Sequence, residues 1–122
     1  MKNVLLLASM SLVLSCKNQD QNDTAMANKA VVSVTAGQQL FETNNCTACH
    51  QIAEKVVGPS LQNIAQIYKR KNASLVSFLK SEAEPIVDPS QYESMKLNLE
   101  ITKTMSETEL KSLEMYILSH LQ

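Results

Sequence analysis

The stretch Cys46-Thr47-Ala48-Cys49-His50 constrains this 122-residue chain more than any other feature. Two thiols three positions apart project from one turn of chain, and an imidazole follows the second. That spacing is the pattern for covalent haem attachment. Each thiol can add to one of the porphyrin's two vinyl groups, and His50 then lies under the ring with a nitrogen for the iron. Three other readings compete. A zinc site needs about four ligands, commonly from two Cys/His pairs, yet the chain has only three cysteines and two histidines. A dithiol oxidoreductase also carries Cys-x-x-Cys, but normally in a strand-rich fold, and no convincing strand can be read here. A structural Cys46–Cys49 disulfide would close a trivially short loop.

Hydrophobic periodicity predicts helices instead. Gly37, Leu40 and Phe41 share one face of a first helix over about 34–44. Leu61, Ile64, Ala65 and Tyr68 recur at i, i+3, i+4 and i+7, giving a second near 60–70, with Pro59 and Ser60 where a start tolerates or prefers them. Leu75, Val76 and Leu79 mark a third over 73–83, ended by Glu84-Pro85. Ser106-Glu107-Thr108-Glu109 is a capping box, and Leu110, Leu113, Ile117 and Leu121 then form an apolar stripe. The expected fold is all-α, a bundle of four or so short helices.

Such a bundle has a deficit. The chain has no tryptophan, two phenylalanines and three tyrosines. A core this poor in bulky side chains is marginal, and small domains commonly recruit a disulfide or a prosthetic group. One haem c per chain, with its iron, would supply the missing interior.

The first residues read as an export signal. Lys2 is a positive start, Val4–Ala8 and Leu12–Leu14 are a short apolar core, and Ser15 precedes Cys16. Val13-Leu14-Ser15-Cys16 resembles the bacterial lipoprotein cleavage box, which makes Cys16 the lipid-bearing N-terminus. Residues 1–15 are then the signal peptide, 16–32 a polar, aperiodic, lipidated tether, and 33–122 the domain. The expected location is the periplasmic face of a bacterial membrane, held by that lipid. With 11 basic and 12 acidic side chains, and no basic run longer than Lys69-Arg70-Lys71, nucleic acid is not an expected partner.

Taken together, these pieces resemble the class I monohaem cytochrome c family over most of residues 35–121. The resemblance rests on Ala36-Gly37-x-x-Leu40-Phe41, the Cys46–His50 motif, Val57-Gly58-Pro59-Ser60-Leu61, and Met115-Tyr116-Ile117-Leu118 near the end. It implies that the first and last helices cross near Gly37 and Tyr116, with Phe41 nearby. It also implies that the Pro59 carbonyl accepts a hydrogen bond from His50. The resemblance further implies His/Met axial ligation, the electron-transfer arrangement. Met95 in the long segment 84–105, which must wrap the open haem edge, is the first candidate; Met105 is the second. Met26 falls in the tether, Met115 reads as core packing, and His120 as an exposed histidine at the end of the last helix. The family often has proline after the ligand methionine, where this chain has Lys96. Because Ser90-Gln91-Tyr92-Glu93 resembles a capping box, a short helix at Met95 stays open.

The function expected is a single-electron carrier in a respiratory chain, a monomer with transient redox-protein partners and no catalytic residues. The alternative is a haem enzyme or gas-binding haem protein with a vacant or labile sixth iron position.

Overall fold

Serine starts every helix that the periodicity predicts. In the computed structural model, which describes residues 31–122, the hydroxyls of Ser33, Ser60, Ser74 and Ser106 each accept a backbone N–H three residues on. The donors are Ala36 at 3.1 Å, Asn63 at 3.2 Å, Ser77 at 3.1 Å and Glu109 at 3.3 Å. Each bond satisfies one of the amide donors a helix leaves orphaned at its start. The helices are α1 (Val34–Thr43), α2 (Leu61–Lys71), α3 (Leu75–Leu79) and, after one more to be described, α5 (Glu107–Leu118). At α5 the capping box closes fully, with Glu109 Oε2 accepting from the Ser106 N–H at 2.8 Å. The Ser106 hydroxyl, donating to the same Oε2 at 2.7 Å, and then the Ser106 N–H hold the Glu109 carboxyl below the usual carboxylate range. The expected signal peptide and most of the expected tether, Cys16 and Met26 included, lie outside the described residues.

Helix α3 is shorter than the 73–83 expected. Ser81 takes a left-handed conformation (φ 60°), the Ser81 N–H donates to the Phe78 carbonyl and the Glu82 N–H to the Ser77 carbonyl. This paired closure ends the helix before Pro85 has any say. Among the described residues there is no strand, and the one β-type pairing is an isolated bridge between His50 and Lys55.

The segment 84–105 holds a helix the periodicity hides. After a 3-10 turn (Pro89–Gln91), α4 runs from Tyr92 to Thr102 and carries Met95. No side chain caps it, and the capping box suggested by Ser90-Gln91-Tyr92-Glu93 does not form. Ser90 Oγ instead donates to Asp88 Oδ1 at 2.6 Å. Only Leu99 and Thr102 of α4 are buried, while Leu97 is 78% exposed, so an apolar stripe never builds up. Thr102 Oγ1 donates to the Leu79 carbonyl at 2.6 Å and pins the end of α4 to the end of α3.

The closest helix pair is α1 with α5, and Gly37 permits it. A Cβ built on Gly37 would stand 1.9 Å from the Ser112 carbonyl oxygen and 2.8 Å from Tyr116 Cβ. Beside that crossing the Ser112 hydroxyl is buried; it accepts from the Ser33 N–H at 3.3 Å and donates to the Thr108 carbonyl at 2.8 Å. The Phe41 and Tyr116 rings stack tilted at 5.3 Å, as the resemblance implied. From the same helix, Glu114 Oε1 accepts from the Leu75 and Val76 N–H groups at 3.1 and 3.4 Å, so α5 also caps α3. Leu61, Leu99 and Leu110 are the most deeply buried large side chains of the core.

Replacing Gly37 with alanine is expected to force α1 and α5 apart, because the obstacle is backbone and not a mobile side-chain end. The loss should be about 3 kcal/mol, at the upper end of overpacking costs. Urea unfolding of the Gly37→Ala protein should show a much lower midpoint with an unchanged slope; an unchanged midpoint would mean the crossing is looser than the geometry says.

Candidate functional site

Two residues after α1 the chain turns on Asn45, which sits in the left-handed region (φ 57°), an asparagine-tolerated conformation. A 3-10 turn (Cys46–Ala48) follows, with the Cys49 and His50 N–H groups donating to the Cys46 carbonyl at 3.2 and 3.0 Å. This one turn puts both thiols and the imidazole on the wall of a single cleft. Both cysteines are free. Burial pushes the Cys46 thiol above its ordinary pKa, with the Cys49 thiol adding to the rise and a backbone hydrogen bond opposing it.

The His50 ring is fixed from two sides. Its Nδ1 lies 2.7 Å from the Pro59 carbonyl oxygen. A carbonyl can only accept, so Nδ1 carries the proton and Nε2 offers its lone pair. The backbone of Gly58 lies flat against the ring: a Cβ there would stand 2.4 Å from Cε1 and 2.9 Å from Nε2. The Gly58 N–H in turn donates to the Cys49 carbonyl at 2.9 Å, closing the loop from the second thiol back onto the histidine. The role that the resemblance implied for Pro59 is present as a contact.

The cleft is walled by apolar side chains from every helix. Phe41 of α1, Ile64 and Tyr68 of α2, Leu75, Phe78 and Leu79 of α3, and Leu113 and Ile117 of α5 line it, with Ile86 and Val87 of the connecting segment. Its floor is therefore part of the protein core. Burial pushes the Tyr68 hydroxyl up to about 12, so it stays protonated throughout the ordinary range. Helix α4 closes the remaining side with Tyr92, Met95 and the polar Ser94 and Asn98.

These residues fit the haem that the motif predicts. The walls are apolar, two thiols stand at one edge, and a nitrogen lone pair and a thioether sulfur are available. Met95 is half-buried and lines the cleft, whereas Met105 packs against the core and does not line it.

Two expectations need correction. Met115 is not core packing: it is 42% exposed, because its position on α5 turns away from α1. His120 is not the exposed histidine expected: it is half-buried, with its ring edge-on to Tyr116 at 5.0 Å. It does not line the cleft. Tyr68, Ser94 and Asn98 were not singled out by the sequence reading. For Tyr68 the signal existed, as the last member of the α2 stripe; for the α4 residues the helix itself had to be known.

Residues 34–121 match the family model described as Cytochrome c. Cytochrome c-552 of Nitrosomonas europaea is 51% identical over 37 residues, which are 30% of this chain and 36% of that protein. Cytochrome c-551 of Azotobacter vinelandii is 44% identical over 32 residues, 26% of this chain and 39% of that protein. Cytochrome c-551 of Pseudomonas denitrificans is 26% identical over 76 residues, 60% of this chain and 93% of the relative. The chain thus spans little more than a third of the first two relatives and nearly all of the third.

A methyl group at Gly58 should displace the His50 ring, since nothing else stands between the two. Gly58→Ala is expected to lengthen the Nδ1 contact to Pro59 and to cost about 1–3 kcal/mol. The imidazole proton resonances of the haem-loaded protein should shift; unchanged resonances and stability would count against the close backbone approach.

Proposed function

We propose that this chain, which belongs to the cytochrome c family, moves single electrons between redox proteins, with His50 and Met95 as the two axial ligands of its haem. The family binds haem c covalently, and Cys46 and Cys49 are this chain's attachment pair. When bound, the group supplies one-electron chemistry at iron; the chain supplies the setting. Cys46 and Cys49 tether, so retention does not depend on oxidation state. His50 presents Nε2, and the Pro59 carbonyl strengthens it as a donor by drawing on the Nδ1 proton. Met95 presents a thioether sulfur, a ligand that raises the potential relative to a second imidazole. The apolar walls keep water out and disfavour the charge that oxidation adds.

The observation that carries this reading is that Met95 is a methionine lining the same cleft as His50, while Met105 and His120 are not on that wall. With both axial positions filled, no site for a substrate remains, and the chain acts as a carrier and not as an enzyme. Among the described residues no helix is long and apolar enough to cross a membrane. The proposed attachment is the lipid on Cys16, with the tether giving the domain reach along the periplasmic face. Partners are transient redox proteins, the protein a monomer, and the setting a respiratory chain.

Met95→Ala is expected to keep covalent haem while lowering the reduction potential and losing the weak far-red ferric band of a methionine–iron bond. The reduced variant should bind carbon monoxide at once. Unchanged potential and ligand binding would move the assignment to Met105; a wild type already high-spin and open to carbon monoxide would replace the carrier by a gas-binding or enzymatic haem protein. Separately, Cys16→Ser should abolish incorporation of labelled fatty acid and leave the precursor uncleaved at that position. Equal labelling of both proteins would remove the anchor.

A further inference from the structure

Helix α4 is held by buried groups toward its C-terminal end, and toward its N-terminal end by the half-buried Tyr92 and Met95, the Tyr92 ring lying tilted to Phe78 at 6.4 Å. At its C-terminal end Leu99 is buried and the Thr102 hydroxyl bonds the Leu79 carbonyl. Its outer face is open to solvent at Leu97, 78% exposed. Its surface charges are spent within the helix, Lys96 on Glu93 and Lys103 on Glu100.

At the N-terminal end stands a different kind of contact. Lys55 Nζ lies 2.6 Å from Asp88 Oδ2 and joins residues 33 positions apart. The other ion pairs among the described residues all link positions no more than four apart. Lys55 belongs to the loop that leaves His50, and its backbone is bridged to His50 itself. Asp88 precedes the turn that runs straight into α4: its carbonyl accepts from the Gln91 N–H at 3.1 Å, and its second carboxylate oxygen from Ser90. The Asp88 side chain is 16% exposed, that of Lys55 59%. One ion pair therefore spans from the histidine side of the cleft to the root of the helix that carries Met95.

We propose that the Lys55–Asp88 pair is a clasp that positions Met95, so that breaking the pair lets α4 swing and frees the sixth iron position more often. Lys55 and Asp88 are positioning residues and touch no reacting atom. This rests on Met95 being the axial ligand. The energy in such a pair is small because Lys55 is well solvated. It is also local, so it acts on how often the N-terminal half of α4 lets go and leaves global stability nearly alone.

Cyanide capture by the ferric, haem-loaded protein tests this, since the methionine–iron bond must open before the cyanide–iron bond forms. Lys55→Met and Asp88→Asn are each expected to speed capture about threefold to fivefold, the upper part of the range of an exposed pair because the Asp88 side chain is only 16% exposed. The charge-swapped double variant, Lys55→Asp with Asp88→Lys, should return to within about twofold of wild type, as a restored pair of this kind would. Added salt should speed wild-type capture and leave Lys55→Met unaffected. Urea midpoints should barely move. If wild type shows the far-red ferric band and the single variants capture at the wild-type rate, the clasp is refuted while the ligation stands. A swap that fails to restore the slow rate refutes the pairing, and a wild type with no band and immediate capture refutes Met95 as the ligand.

Discussion

The α1–α5 crossing at Gly37 is the contact from which the positions of the functional side chains follow. A hydrogen in place of a side chain lets the Ser112 carbonyl come against the α1 backbone, and every further role of α5 depends on that approach. Helix α1 delivers the chain to Cys46 three residues after its end. Helix α5 offers Leu113 and Ile117 to the cleft, Tyr116 to Phe41, and Glu114 to the start of α3. Helix α3 is one and a half turns long and too short to hold itself. It keeps its place in the cleft wall because a carboxylate from α5 caps it at one end and Thr102 of α4 meets its last carbonyl at the other. The thiols, the imidazole and the apolar walls thus share one mechanical reference.

What the sequence disclosed is what local chemistry decides. Serine caps, the Ser106–Glu109 box and the α2 stripe are written in neighbouring residues, and the structure places α1 and α2 within a residue of expectation, whereas α5 stops at Leu118 and leaves Leu121, expected in its stripe, 43% exposed. The attachment motif is likewise local, as is the Gly58-Pro59 pair that seats the histidine. Helix α4 escaped because its apolar residues do not make a stripe against other helices: Met95 and Tyr92 face a cleft, Leu97 faces water, and only Leu99 and Thr102 are buried. Periodicity reports helix-on-helix burial, and a helix laid over a prosthetic-group cavity leaves a fainter record. Ser90 misled for a related reason, since its hydroxyl is committed to Asp88.

Met115 and His120 show the same limit from the other side. Met115 lies in α5 and His120 two residues past its end, and the direction a side chain takes there depends on which neighbour reaches that far. Helix α1 covers Ser112 and Tyr116, and Met115 lies between those rows and stays 42% exposed. The Tyr116 ring reaches out to His120 and covers it. That Met105 packs beside the core while Met95 opens on the cleft is likewise tertiary information, unavailable to any count of residues from the motif.

Covalent tethering changes what the rest of the fold has to do. With two thioethers the haem remains whether or not either axial bond is intact, so the methionine side need not contribute to retention. The structure divides its rigidity accordingly. His50 is held between the Gly58 backbone and the Pro59 carbonyl on the loop that returns to the thiols. Met95 sits on a helix moored by one buried hydroxyl, by the half-buried Tyr92 and by one ion pair whose lysine is 59% exposed. A hydrogen bond made in a dry interior holds more firmly than a salt bridge whose lysine is open to water. Under the proposed ligation the histidine bond is thus set by the attachment loop, while the methionine bond is set by how α4 is moored. Its strength can be tuned by surface charge without disturbing the core that the haem completes.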